Sequence, residues 1–144
     1  MSALEIEIRN ESSLRVPIRR LKNVARKILK SLKLKNAGLG VLLVSDQAIR
    51  RLNRRFLKHD QATDVIAFEG EPPFLGDIVI SLETTRRQAK EYGNPFFYEL
   101  SFYLCHGILH LMGQDDGTAE KRQKMLKRQE KILSVIWPSK KPKR

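Results

Sequence analysis

One cysteine, Cys105, and one tryptophan, Trp137, occur in the whole chain. A single thiol allows no intramolecular disulfide and excludes a zinc site built on paired cysteines. Aromatic residues make up only 7% of the sequence, and no apolar run approaches the ~20 residues that a membrane-spanning helix requires. The opening MSALEIEIRN alternates apolar and charged positions and lacks the continuous apolar stretch of a secretory leader, so the expected location is the cytoplasm, with no membrane partner. Internal repeats and low-complexity linkers are missing too, which favours one domain.

Negative charge is the other shortage. Sixteen Asp and Glu stand against 28 Lys and Arg, a formal net charge of +12. Such an excess concentrates polyanions around the protein and speeds their capture, and nucleic acid is the first candidate. A chain of 144 residues with 41% hydrophobic content can bury a single core without covalent staples. That domain is expected over residues 1–137. The remaining 138–144, PSKKPKR, reads as a basic, proline-broken, disordered tail.

Periodicity sets the coarse architecture. Leu4, Ile6 and Ile8 alternate with Glu5, Glu7 and Arg9, the period of two of a half-buried strand. After Pro17, the residues Ile18, Leu21, Ala25, Ile28 and Leu32 recur at helical spacing, with a basic face opposite them. GLGVLLV (38–44) predicts a buried strand, and Asp46 is placed to cap a short helix burying Ile49, Leu52 and Phe56. A polar loop (57–64) precedes a strand over Val65–Phe68; a Pro72-Pro73 turn then leads to a strand over Asp77–Ser81. Helices are expected over Thr84–Tyr92, from Pro95 to about Met112, and from Ala119 to Trp137. The last should turn Met125, Leu126, Ile132, Leu133 and Ile136 inward, with Trp137 closing the core. The order β-α-β-α-β-β-α-α-α predicts an α+β fold, one mixed sheet of about four strands packed with about five helices.

HGILHLMGQDDG (106–117) is where chemistry concentrates. His106 and His110 stand four apart, so on a helix their rings lie on one face a turn apart. Two imidazoles so placed can reach one divalent ion at about 2.0–2.1 Å. Leu100, Leu104, Ile108, Leu109 and Leu111 surround them, which predicts a buried helix in which an unpartnered histidine pair would be costly. Gly113 breaks the helix and lets the chain reverse, presenting Asp115 or Asp116 as a third ligand. Histidines at i and i+4 also occur as hydrogen-bonded core residues, and spacing alone does not separate the two cases. Glu99, two turns earlier on the same face, is placed to orient His106 or a basic neighbour, or to form a buried salt bridge. Cys105, about 100° round the helix from His106, reads as a small core residue.

The stretch HGILHLMGQDDG resembles the signature HGxLHLxGYDH of the YbeY family of bacterial endoribonucleases. LNRRFLKHDQATDVIAFE (52–69) is similar to that family's LNxxFRxxDxPTDVLSFP, and LGDIVIS (75–81) to its strand LGDIxIS. Glu99-Leu100 stands where the family has a Glu-Leu pair; together the matches cover most of residues 46–136. The resemblance implies a metal-dependent, single-strand-specific endoribonuclease of ribosomal RNA maturation and ribosome quality control. Its cofactor would be one divalent ion, zinc. Its partners would be ribosomal RNA and ribosomal particles, with a ribosomal protein or a second nuclease as possible company.

Carried over position by position, the family's three metal-binding histidines fall on His106, His110 and Asp116. Aspartate in the third place is a departure. It lowers the site's net charge by one unit, which predicts a less acidic bound water and more tolerance for harder metals. Asp115, beside it, is the neighbouring support. Leu57 replaces an arginine associated with RNA, a role left to Arg54, Arg55 or Lys58, with His59 as a further RNA contact. Gln114 and Ala62 replace the usual Tyr and Pro, and Asp64 and Asp77 are expected to cap turns and hold the sheet edge. Two rivals remain: a non-catalytic, ribosome-associated RNA-binding factor with a structural metal, and a zinc metallopeptidase. Gly107 follows His106 where HExxH peptidases carry their glutamate base, which weighs against the second.

Overall fold

The computed structural model describes residues 3–56 and 65–137. Its elements run β1 (Ala3–Asn10), α1 (Ile18–Ser31), β2 (Asn36–Val44), α2 (Asp46–Phe56), β3 (Val65–Glu69), β4 (Phe74–Ser81), α3 (Leu82–Tyr92), α4 (Phe96–Leu111) and α5 (Ala119–Ile136). One sheet has the order β1-β2-β4-β3; β1, β2 and β4 are parallel and β3 joins β4 antiparallel at the edge. This is the mixed α+β architecture that the order of apolar periodicities predicts. Residues 57–64, which include Leu57, Lys58, His59, Ala62 and Asp64, and the tail 138–144 lie outside the described residues.

Register sorts the side chains of the sheet onto two faces. Ile6 lies opposite Leu39, Val41 opposite Ile78 and Leu43 opposite Ile80, and this face meets α1, α4 and α5 in the main core. The reverse face carries Val44, Ile66 and Val79, covered by Ile49 of α2. Helix α4 lies at the centre of the larger core. Leu100, Leu104, Cys105, Ile108 and Leu109 are at most 1% exposed. At about 1.5–3 kcal/mol for each large apolar side chain removed from water, they make α4 a firm platform. Gly107 is what lets it settle on the sheet: a Cβ there would stand 2.8 Å from Cγ2 of Ile78. Burial pushes the Cys105 thiol up to about 12, as befits an inert core residue.

Several local expectations need correction. Helix α2 is capped by Ser45, whose hydroxyl accepts from the Ala48 amide at 3.2 Å. Asp46 instead joins the starts of two helices. Its amide donates to Glu83, and its carboxylate accepts from Ser81 at 2.5 Å, Thr84 at 2.6 Å and Arg87 at 2.7 Å. Partial burial works against ionisation, yet these donors outweigh it and hold the Asp46 carboxyl below the usual range. Phe56 is 55% exposed and stacks edge-on against Phe68 rather than entering the core. Strand β4 begins at Phe74, and Asp77 sits in that interior strand over Gly40, not at a sheet edge.

Candidate metal centre

His110 lies in the last turn of α4 and His106 one turn before it, where the buried helix reaches solvent. Their side chains are 21% and 30% exposed, less enclosed than the apolar surroundings in sequence suggest. One helical turn brings the ring centroids to 4.6 Å and the two Nε2 atoms to 3.1 Å. Beyond α4 the chain turns sharply. Gly113 takes φ +92°, its amide bonds the His110 carbonyl at 3.0 Å, and the Gln114 amide bonds the Leu109 carbonyl at 3.0 Å. This paired closure is the Schellman arrangement, which favours glycine at its left-handed position.

The reversal brings Asp116 back over the histidines. Its Oδ2 lies 3.5 Å from Nε2 of His106 and its Oδ1 3.6 Å from Nε2 of His110. Three ligands about 2.0–2.1 Å from a tetrahedral ion would stand roughly 3.4 Å apart. The observed separations lie near that value, two of them reaching different oxygens of the same carboxylate, so the donor set suits a single small divalent ion. Its chemistry fits too: two imidazoles and one carboxylate suit zinc, and three protein ligands leave a position for water. The negative end of the α4 dipole lies at the same turn and favours a cation there. Among the described residues, these three are the only group of three or more His, Cys, Asp or Glu arranged to hold an ion.

The other residues singled out in the sequence are placed elsewhere. Asp115 accepts from the Gly117 amide at 3.1 Å and from Lys121 at 3.3 Å; these bonds, the amide first, hold its carboxyl below the usual range. It supports the turn and is not one of the clustered ligands. Glu99 is fully buried and accepts from the Asn94 side chain at 3.2 Å. Both ring nitrogens of His106 meet other groups, so Glu99 does not orient it. Arg54 and Arg55 end α2, which packs on the opposite face of the sheet from α4. Lys58 and His59 lie outside the described residues.

Helix α5 supplies what sequence reasoning missed. Gln129, 2% exposed, faces Nδ1 of His106 at 3.3 Å. Arg128 donates to the Gln114 side chain at 2.8 Å, and Arg122 to the Asp116 carbonyl at 3.5 Å. The turn bearing the carboxylate and the ring of the first histidine are thus held by one helix. The signal for Gln129 was available: it is a polar residue in the apolar stripe formed by Met125, Ile132 and Leu133.

A family model described as "Endoribonuclease YbeY" matches residues 5–136. A protein from Syntrophotalea carbinolica called endoribonuclease YbeY is 38% identical over 146 residues, covering 94% of this chain and 97% of its own length. One of the same name from Geobacter metallireducens is 43% identical, covering 81% and 85%. Another from Myxococcus xanthus is 44% identical over 76% of this chain, which spans only 40% of that longer relative. A solution structure from Thermotoga maritima superposes with TM-score 0.66 at 27% identity, over 94% of this chain and 89% of that one.

Proposed function

Because this chain belongs to the YbeY family, we propose that it is a metal-dependent endoribonuclease cutting single-stranded RNA, with a role in ribosomal RNA maturation and ribosome quality control. The observation that carries this reading is the triad His106, His110 and Asp116, whose nearest ring-nitrogen and carboxylate-oxygen contacts are 3.1–3.6 Å at the solvent-facing end of a buried helix. His106, His110 and Asp116 would hold a divalent ion, which would lower the pKa of a bound water toward ~7 and polarise a phosphoryl oxygen. The protein's part is placement. His106 and His110 are fixed by α4, and Asp116 by the closure at Gly113. The single carboxylate leaves the loaded site net positive, which suits the charge that develops during phosphodiester cleavage.

The surroundings favour RNA. A groove of about 270 Å³ runs past His110 between Leu111 and the edge strand, lined by Val65, Ile66, Ala67 and Glu69. Its apolar floor offers a surface for an unstacked base, which a duplex does not present. Exposed Lys121, Arg122, Lys124, Lys127, Arg128 and Lys131 lie along the neighbouring α5. Phosphate contacts from such cations give affinity without sequence reading.

The test is cleavage of single-stranded and duplex RNA of equal length by chelated and zinc-reloaded protein. Cutting of the single strand alone, abolished by chelation and restored by zinc, is expected. Binding without cutting under every metal tried would instead leave an RNA-binding factor. Arg122→Ala should weaken RNA binding and lower the slope of log affinity against log salt by about 1. An unchanged slope in a filter-binding titration would remove this arginine from the RNA path.

A further inference from the structure

We propose that Gln129 is a positioning residue that locks His106 with its proton on Nδ1, so that Nε2 always presents its lone pair to the ion. The inference rests on reading the triad as a metal centre. Its basis is one buried amide that spans a single turn of α4. Nε2 of Gln129 donates to the Phe102 carbonyl at 3.2 Å, and Oε1 faces Nδ1 of His106 at 3.3 Å. Phe102 and His106 stand four apart, so both lie on the side of α4 that faces α5.

The direction of the amide follows from chemistry. A main-chain carbonyl can only accept, so the group facing Phe102 must be the amide nitrogen. The oxygen is then left for His106, and an oxygen can only accept. A half-turn of the amide would set oxygen against oxygen at Phe102 inside a site that water does not reach. Nδ1 of His106 must therefore carry hydrogen, and in the neutral ring Nε2 does not. That Nε2 is the atom pointing at His110 and Asp116. In water the proton would be free to sit on either nitrogen. Here the choice is made before any ion arrives, and the ring is also held against rotation.

A structural role for Gln129 and this positioning role predict different things. Tying α5 to α4 needs the bond to Phe102, whereas setting the ring needs only an acceptor. Gln129→Leu removes both bonds at similar volume, and the Phe102 carbonyl keeps its helical partner, so the fold should survive. Gln129→Glu keeps the acceptor and gives up the donor. Two measurements decide. The first is the nitrogen spectrum of labelled histidine in metal-free protein at about pH 8.5, above the imidazole range. His106 should carry its proton on Nδ1 in wild type and in Gln129→Glu, and be mixed in Gln129→Leu. The second is zinc affinity by chelator competition, expected to fall about 10–100-fold in Gln129→Leu and to recover most of that in Gln129→Glu.

The proposal is overturned if wild-type His106 carries its proton on Nε2, if Gln129→Leu binds zinc as wild type does, or if Gln129→Glu is as weak as Gln129→Leu. A wild type that binds no zinc would defeat the metal reading alone. The histidine spectrum would still decide what Gln129 does.

Discussion

His110→Ala is expected to abolish tight zinc binding and to lower RNA cleavage by at least about 10³-fold, a loss of some 4 kcal/mol of transition-state stabilisation. Two of three protein ligands remain in this variant, too few to define a facial site. The fold should persist for reasons particular to the position. His110 lies in the last turn of α4 with 30% of its side chain exposed, while the neighbours that seat the helix, Ile108 and Leu109, are fully buried and untouched. Alanine is also the better helix former, by several tenths of a kcal/mol. RNA binding should be retained, because the cations of α5 are unchanged. Metal content by mass spectrometry, cleavage, and filter binding on one preparation separate these effects. A folded His110→Ala protein that still cuts RNA at the wild-type rate would remove the triad from the reaction.

Short-range order was the legible part. Alternation in β1 and the helical recurrence after Pro17 both depend on neighbours in the chain, and the elements form where those patterns lie. The histidine pair is legible for the same reason, since a four-residue spacing on a helix is already a distance in space. Gly113 announced the reversal that returns Asp116, but it could not choose between two adjacent aspartates on spacing alone. The structure separates them by hydrogen bonding: Asp115 is held by Gly117 and Lys121, and Asp116 faces the histidines.

Contacts between distant segments were not legible. Gln129 is 23 residues from His106, and only the packing of α5 on α4 joins them. Asp46 looked like a cap because its type and position fit one, yet Ser81, Thr84 and Arg87 reach it from across the sheet's end. Phe56 fell in phase with an apolar stripe, but it meets only the edge of Phe68 on the edge strand and stays 55% exposed. In each case a residue satisfied a local rule and the tertiary neighbour decided its use.

Asp116→His gives the second large effect, and it acts on selectivity rather than on presence of the ion. A third imidazole removes one negative charge from the site and raises its net charge by one. Zinc binding should persist. Activity supported by manganese or magnesium should fall by at least about tenfold, because those ions prefer oxygen ligands. The group that must lose a proton for cleavage should do so more readily, so the rising limb of the pH–rate profile should move to lower pH by about one unit. The imidazole is longer than the carboxylate it replaces, and the turn must draw back to admit it. The bonds from Arg122 and Arg128 resist this, so zinc affinity should change by less than the selectivity does. Profiles and metal preferences identical to wild type would show that residue 116 does not touch the ion, leaving two histidines in need of another third ligand.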